Sequence, residues 1–148
     1  MKRIYLDVCC FNRPFDDQTQ DRIHIESEAV LLILKHIQKE DYILVGSEII
    51  DLEIKMIPDS DKREKVKMIS TAVSEKIIPS IEEFNRAFEL ENLGFSSMDS
   101  LHISCAEKAE ADIMVTTDDK LIKKRDRNKN KVRLKIVNPV LFLEEIME

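Results

Sequence analysis

With 148 residues, 43% of them apolar and 35% charged, the chain reads as a single domain (1–148) large enough to bury a real core. No apolar run approaches the roughly 20 residues that span a bilayer, and Asp7 interrupts the N-terminal stretch where an export signal needs a long apolar core, so a cytoplasmic protein without a membrane partner is expected. The net charge of −6 argues against a nucleic-acid partner only until its distribution is considered.

In chain order, Lys2 to Leu6 is an apolar run with the length of a buried strand. Phe11 to Gln20, with Pro14 and the polar cluster Asp16 to Gln20, reads as a loop. Arg22 to Lys39 places Ile23, Ala29, Val30, Ile33, Leu34 and Ile37 on one helical stripe. Tyr42 to Val45 is a second strand, and Ser47 is positioned to cap a helix ending near Ile57-Pro58. Asp59-Ser60-Asp61 caps a helix running to about Ser74, with Val66, Ile69 and Val73 inward. Ile77-Ile78 fits a short strand or a turn.

Ser80 to Leu93 is helical, with Glu83 three residues after Ser80 as in a capping box, and Gly94 suits its end. Ser96 or Ser97 opens a helix that carries Asp99 and ends near Ala109. Asp112 to Thr116 is a strand, Asp118 to about Arg127 a helix, and Leu134 to Val137 a strand. Pro139 starts a last helix through Phe142 and Ile146. This alternation predicts an α/β three-layer sandwich with a mostly parallel central sheet. The chain has two glycines, Gly46 and Gly94, which removes the glycine-rich nucleotide loops.

Four acids stand where such a topology gathers residues at the carboxyl ends of strands: Asp7, Glu53, Asp99 and Asp118. Clustered carboxylates repel, and the usual reason to assemble them is a hard divalent cation, Mg²⁺ or Mn²⁺. Each acid alone has a plain structural reading as a cap, a helix-start carboxylate or a surface charge. Cys9, Cys10 and Cys105 read as buried thiols, and no histidine or further cysteine sits at zinc-ligand spacing. His24, His36 and His102 read as structural or exposed. Between Lys120 and Lys135, nine basic side chains and one acid, Asp126, give a segment of +8 and leave −14 for the remainder. A basic strip beside an acidic metal site suits an enzyme acting on polyanions, although a charge run is usually a solvated surface.

Taken in order, these blocks resemble the PIN domain family of metal-dependent ribonucleases, which includes VapC-type toxins of toxin–antitoxin pairs. Ile4-Tyr5-Leu6-Asp7 is similar to the family's first strand and acid. Ser47 through Glu53 resembles its serine, apolar helix and second acid. Met98 through Ala106 resembles its third-acid helix, and Val115 through Leu121 its threonine-x-aspartate segment. Val137-Asn138-Pro139 with Phe142-Leu143 is similar to its last strand and helix. The resemblance favours Glu53 over Glu48 and Asp118 over Asp119. It departs at Val8-Cys9-Cys10, where the family has a small polar residue and an asparagine; Asn12 and Arg13 are the candidates to replace those groups.

The resemblance implies an endoribonuclease that binds Mg²⁺ or Mn²⁺ through Asp7, Glu53, Asp99 and Asp118. Its partners would be RNA, an antitoxin protein and a second copy in a homodimer. Expected substrate contacts are Arg13, Ser47, Thr116, Lys120, Lys123, Lys124 and Arg127, with Ser47 or Thr116 donating to a phosphate or to a ligand carboxylate. The alternative is a non-catalytic PIN-like module that binds RNA or protein. A phosphatase is disfavoured because Asp7-Val8-Cys9 lacks a second acid.

Overall fold

The computed structural model describes residues 1–147. Strand β1 (Arg3–Leu6) holds the centre of the sheet because Ile4, Tyr5 and Leu6 are all wholly buried, as a strand covered on both faces must be. Parallel partners flank it: β2 (Ile43–Ser47) on one side and β4 (Ile113–Val115) on the other. β3 (Glu75–Ile77) extends the sheet beyond β2, and β5 (Lys135–Val137) extends it beyond β4. Among the described residues the order is β3-β2-β1-β4-β5 and every pairing is parallel.

Helices connect the strands. α1 (Val8–Asn12), a 3-10 turn (Arg13–Phe15) and α2 (Asp21–Gln38) lead from β1 to β2. α3 (Glu48–Lys55) and α4 (Ser60–Ser70) lead to β3. α5 (Ile81–Asn92) and α6 (Ser97–Lys108) lead to β4, α7 (Asp119–Arg127) leads to β5, and α8 (Pro139–Ile146) closes the described chain. α2 packs on α8 and α5 on α6. Right-handed crossovers put these pairs on opposite faces of the sheet, giving the expected sandwich.

Three local expectations are corrected. The start of the expected loop, Phe11 to Phe15, is helical instead, Phe11 and Asn12 ending α1 and Arg13–Phe15 forming a 3-10 turn; the Asp7 carboxylate caps α1, and Val8 and Phe11 bury one face of it. α4 stops at Ser70, not Ser74, where the Ser70 and Thr71 hydroxyls donate to the Lys67 and Met68 carbonyls. Ser47 stands at the N-cap of α3 without capping it by its side chain, since its hydroxyl is committed to Tyr5 at 2.7 Å. The capping box of Ser80 and Glu83 is present, and Gly94 ends α5 at φ +104°, a conformation that favours glycine. Gly46 lets β2 run against Val73: a Cβ there would lie 2.9 Å from a Val73 methyl.

Going outward from β1, the chain visits β2 and β3, then returns to β4 on the other side. The order reverses at β1, so the crevice beyond the carboxyl ends of β1, β2 and β4 is the switch point of the sheet. Registers Tyr5↔Val45 and Leu6↔Val115 bring Asp7, Ser47 and Thr116 to that one edge.

Candidate active site at the carboxyl edge of the sheet

Asp7 is fixed from three sides. Its backbone N–H donates to the Val115 carbonyl at 2.9 Å, which ties it across to β4. One carboxylate oxygen, Oδ1, accepts from the Val8 N–H at 2.8 Å. The other, Oδ2, accepts from the Thr116 hydroxyl at 2.8 Å and faces the Cys9 thiol at 3.5 Å. The residue is 6% exposed, so this is a buried carboxylate held by neutral donors. The Thr116 oxygen also accepts the Asp118 N–H at 3.1 Å, coupling the first acid to the fourth.

Glu53 lies on α3, half-buried, with Oε1 at 3.0 Å from Nε2 of His102. Glu48 is exposed at the helix start, so position along α3 selects Glu53. His102 is wholly buried on α6, one turn beyond Asp99. Its Nδ1 is 2.6 Å from the Tyr5 hydroxyl, which is in turn 2.7 Å from the Ser47 hydroxyl. His102 Nε2 also sits 3.9 Å from Asp7 Oδ1. Burial alone would lower the histidine's pKa. The Glu53 hydrogen bond and the Asp7, Glu53 and Asp99 charges outweigh burial and raise it.

Asp99 is half-buried at the start of α6, its backbone N–H donating to the capping Ser96 hydroxyl at 3.1 Å. Burial, then the charges of Asp7 and Asp118, lift its carboxyl from 3.8 to about 6. Asp118 caps α7, accepting from the N–H groups of Lys120 at 3.0 Å and Leu121 at 3.4 Å. Asp119, its sequence competitor, instead pairs with Arg22 at 2.8 Å.

The tightest cluster is Asp7, Glu53 and His102, one ligand atom from each lying within 4.8 Å of the others. Asp99 and Asp118 stand outside that set, yet close enough for their charges to act on one another. The donor set fits a divalent cation: oxygens suit Mg²⁺ and Mn²⁺, and the imidazole nitrogen suits transition metals. The raised Asp99 carboxyl reflects burial first and then repulsion by Asp7 and Asp118, and it is the repulsion that a cation would relieve.

Around this cluster the basic residues divide into engaged and open ones. Arg13 donates to Glu26 at 2.9 Å and to Asp16 at 3.0 Å. Glu26, only 2% exposed, also accepts from Asn138 at 2.6 Å and meets Arg22 at 3.4 Å. Lys124 donates to the Gly94 carbonyl at 2.6 Å. Ser47 and Thr116 are buried, and of the two expected roles for Thr116 the structure shows donation to a site carboxylate. Lys120, Lys123 and Arg127 are exposed on α7. A cleft of about 570 Å³ borders the site, lined among others by Arg13, Arg22, Asp118 and Lys120. Another concavity, about 550 Å³ between α3, α4 and β3, has none of the four acids in its lining.

Four participants go beyond the sequence reading. His102, read as structural, faces Asp7 and Glu53, and its position three residues after Asp99 puts both on one helix face. Tyr5 shares a strand face with Asp7, two residues away. Cys9, not Asn12 or Arg13, takes the place beside Asp7 and Thr116, with its sulfur 3.3 Å from the threonine oxygen. Glu26 lies within the apolar stripe of α2, the sign of a buried acid that needs partners.

No protein-family profile matches the chain, and no curated protein matches it in sequence. Solved structures do match it in fold. FitAcB from Neisseria gonorrhoeae superposes with a TM-score of 0.60 at 15% identity, over 92% of this chain and 97% of that one. VapBC2 from Rickettsia felis, bound to a DNA fragment from their promoter, gives 0.58 at 17% identity over 92% and 98%. FitAB bound to an IR36 DNA fragment gives 0.56 at 15% over 93% and 95%. Among the described residues no helix is long and apolar enough to cross a membrane. With five parallel strands between two helical layers among the described residues and near-complete coverage of these neighbours, the chain has a PIN-like α/β sandwich fold.

Proposed function

We propose that the protein is a divalent-metal-dependent endoribonuclease whose site is formed by Asp7, Glu53, Asp99 and Asp118. The observation that carries this reading is the gathering of acids at the switch-point crevice, with Asp99 lifted to about 6 by burial and by its acidic neighbours. A fold gains nothing by assembling such charges without a cation. Asp7 and Glu53 would hold the ion, and Asp99 and Asp118 would complete its surroundings. When bound, Mg²⁺ or Mn²⁺ stabilises charge on the attacked phosphate and lowers the pKa of the attacking water.

The chain's own residues do the positioning. Thr116 orients Asp7 by donating to Oδ2 and orients Asp118 by accepting its N–H. Tyr5 and Ser47 fix the ring of His102, which in turn fixes Glu53. Lys120, Lys123 and Arg127 on α7 would hold the RNA backbone, since Asp118 is the N-cap of α7 and the three are exposed along it. Arg13 and Lys124 act first as structural ties. An antitoxin partner and a homodimer belong to the same reading: the VapBC2 neighbour is a complex bound to promoter DNA. That the chain keeps all four acids favours a cutting enzyme over a PIN-like module that only binds RNA or protein.

The test is incubation of purified protein with RNA in millimolar Mn²⁺ or Mg²⁺, with an Asp7→Asn variant and a chelator as controls. Cleavage by the wild type alone supports the reading. RNA binding without metal-dependent cleavage in every condition supports the binding module instead.

A further inference from the structure

We propose that His102 is itself a metal ligand, through Nε2, and that it makes the site select Mn²⁺ over Mg²⁺. This inference rests on the metal-site reading above and specifies the donor set of that site.

Nε2 of His102 lies 3.0 Å from Glu53 Oε1 and 3.9 Å from Asp7 Oδ1. For bonds near 2.1 Å, donors on one octahedral ion are about 3 Å apart when adjacent and about 4 Å when opposite. Nε2 therefore stands from each carboxylate oxygen at the spacing of donors that share an ion, and one ligand atom from each of the three residues lies within 4.8 Å of the others. His102 is wholly buried, so this nitrogen faces the two carboxylates and not solvent.

The other side of the ring is prepared for ligation. A metal-bound imidazole uses one nitrogen on the ion and donates from the other to an oxygen, which fixes its tautomer and orientation. His102 Nδ1 is 2.6 Å from the Tyr5 oxygen, and Tyr5 is 2.7 Å from the Ser47 oxygen. Both hydroxyls can donate or accept. In one direction, Ser47 donates to Tyr5, Tyr5 donates to Nδ1, and the Nε2–H donates to Glu53. In the reverse direction, Nδ1–H donates to Tyr5, Tyr5 donates to Ser47, and the Nε2 lone pair points at the carboxylates. That second arrangement sets an imidazole lone pair against Glu53 and is stable only with a proton or a metal cation between them. The relay thus gives Nδ1 a hydrogen-bond partner in both states. An imidazole nitrogen in an otherwise oxygen site favours Mn²⁺ over Mg²⁺, because magnesium prefers oxygen donors alone. Tyr5 acts here as a positioning residue.

Binding and spectroscopy, not cleavage, decide the matter. Mn²⁺ is loaded into the wild-type protein grown with ¹⁴N- or ¹⁵N-histidine, and pulsed EPR reads the nitrogen coupling at the metal. Calorimetry compares Mn²⁺ and Mg²⁺ for wild type, His102→Gln and Tyr5→Phe. The expected result is an isotope-sensitive histidine coupling, with Mn²⁺ affinity falling about tenfold or more in His102→Gln and Mg²⁺ affinity falling less. Tyr5→Phe is expected to weaken Mn²⁺ in the same direction. Tight Mn²⁺ binding with no histidine coupling overturns the assignment of His102 and leaves the carboxylate site standing. Absence of any divalent binding by the wild type overturns the metal-site reading and this inference with it. The EPR measurement uses the wild type alone and so holds even if His102→Gln fails to fold.

Discussion

Replacing Asp99 with asparagine should make the metal-free protein more stable at neutral pH while removing part of its stabilisation by metal. The folded state raises the Asp99 carboxyl from 3.8 to about 6, first through burial and then through Asp7 and Asp118. A carboxyl raised on folding holds its proton more tightly folded than unfolded. Stability from this group is therefore present below about pH 4, declines as pH rises toward 6 and is fully lost above it. For a dry group a shift of this size corresponds to about 3 kcal/mol. Asp99 is only half-buried, and solvent screening reduces the figure to about 1–2 kcal/mol. In a chain of this length that is a rise of roughly 3–6 °C in Tm for Asp99→Asn in chelator at pH 7. The variant and the wild type should converge near pH 4, where the carboxyl is protonated anyway. The assay is thermal unfolding of both proteins in EDTA from pH 4 to 8, repeated with Mn²⁺ at neutral pH. A variant less stable than wild type in EDTA at pH 7 would refute the idea that these acids are held against mutual repulsion.

Three other perturbations follow from contacts elsewhere around the site. Glu26→Ala strips Arg13 of a buried carboxylate partner and Asn138 of its acceptor. The expected cost is about 3–5 kcal/mol, read as a lower urea midpoint; an unchanged midpoint contradicts the buried network. Thr116→Val keeps the shape but removes the donor to Asp7 and the acceptor of the Asp118 N–H. Its Mn²⁺ affinity should fall about 10–100-fold by calorimetry, and wild-type affinity would show that Thr116 does not order the site. Replacing Lys123 and Arg127 by glutamine in an Asp99→Asn background should weaken RNA binding of all sequences alike. The log–log salt slope should flatten by roughly one unit or slightly less per lost contact, whereas parallel slopes would make α7 a solvated face.

The element pattern was legible because it rests on short-range rules. Strands of consecutive apolar residues, Ser80-x-x-Glu83, Gly94 and Asn138-Pro139 each signal one local conformation, and each stands where expected. Asp7 can be read as a cap, but the helix it starts is only five residues long, too short to show a helical period in the sequence. Asp7, Asp99 and Asp118 were legible from their placement at strand ends and helix starts, and Glu53 from its place along α3. Their partners were less so, because hydrogen bonds such as Tyr5 to His102 span 97 positions and leave no local trace. The basic strip misled in part for the same reason: Arg125 donates to the Arg133 and Leu134 carbonyls and Lys124 to Gly94, so charge that looked available in sequence is spent on the fold. Ser47 shows the reverse case, a residue at a capping position whose hydroxyl serves a buried tyrosine.

The central claim, that the carboxylates at the β1–β4 switch point form a metal-dependent nuclease site, is tested most directly by RNA cleavage with and without Mn²⁺ in wild type and Asp7→Asn. Asp7 is the acid held most tightly by the sheet, through Val115, Val8 and Thr116. Cleavage by the wild type that requires Mn²⁺, disappears with chelator and is abolished in a folded Asp7→Asn protein is the predicted result. Metal-dependent cleavage at the wild-type rate by Asp7→Asn would contradict it.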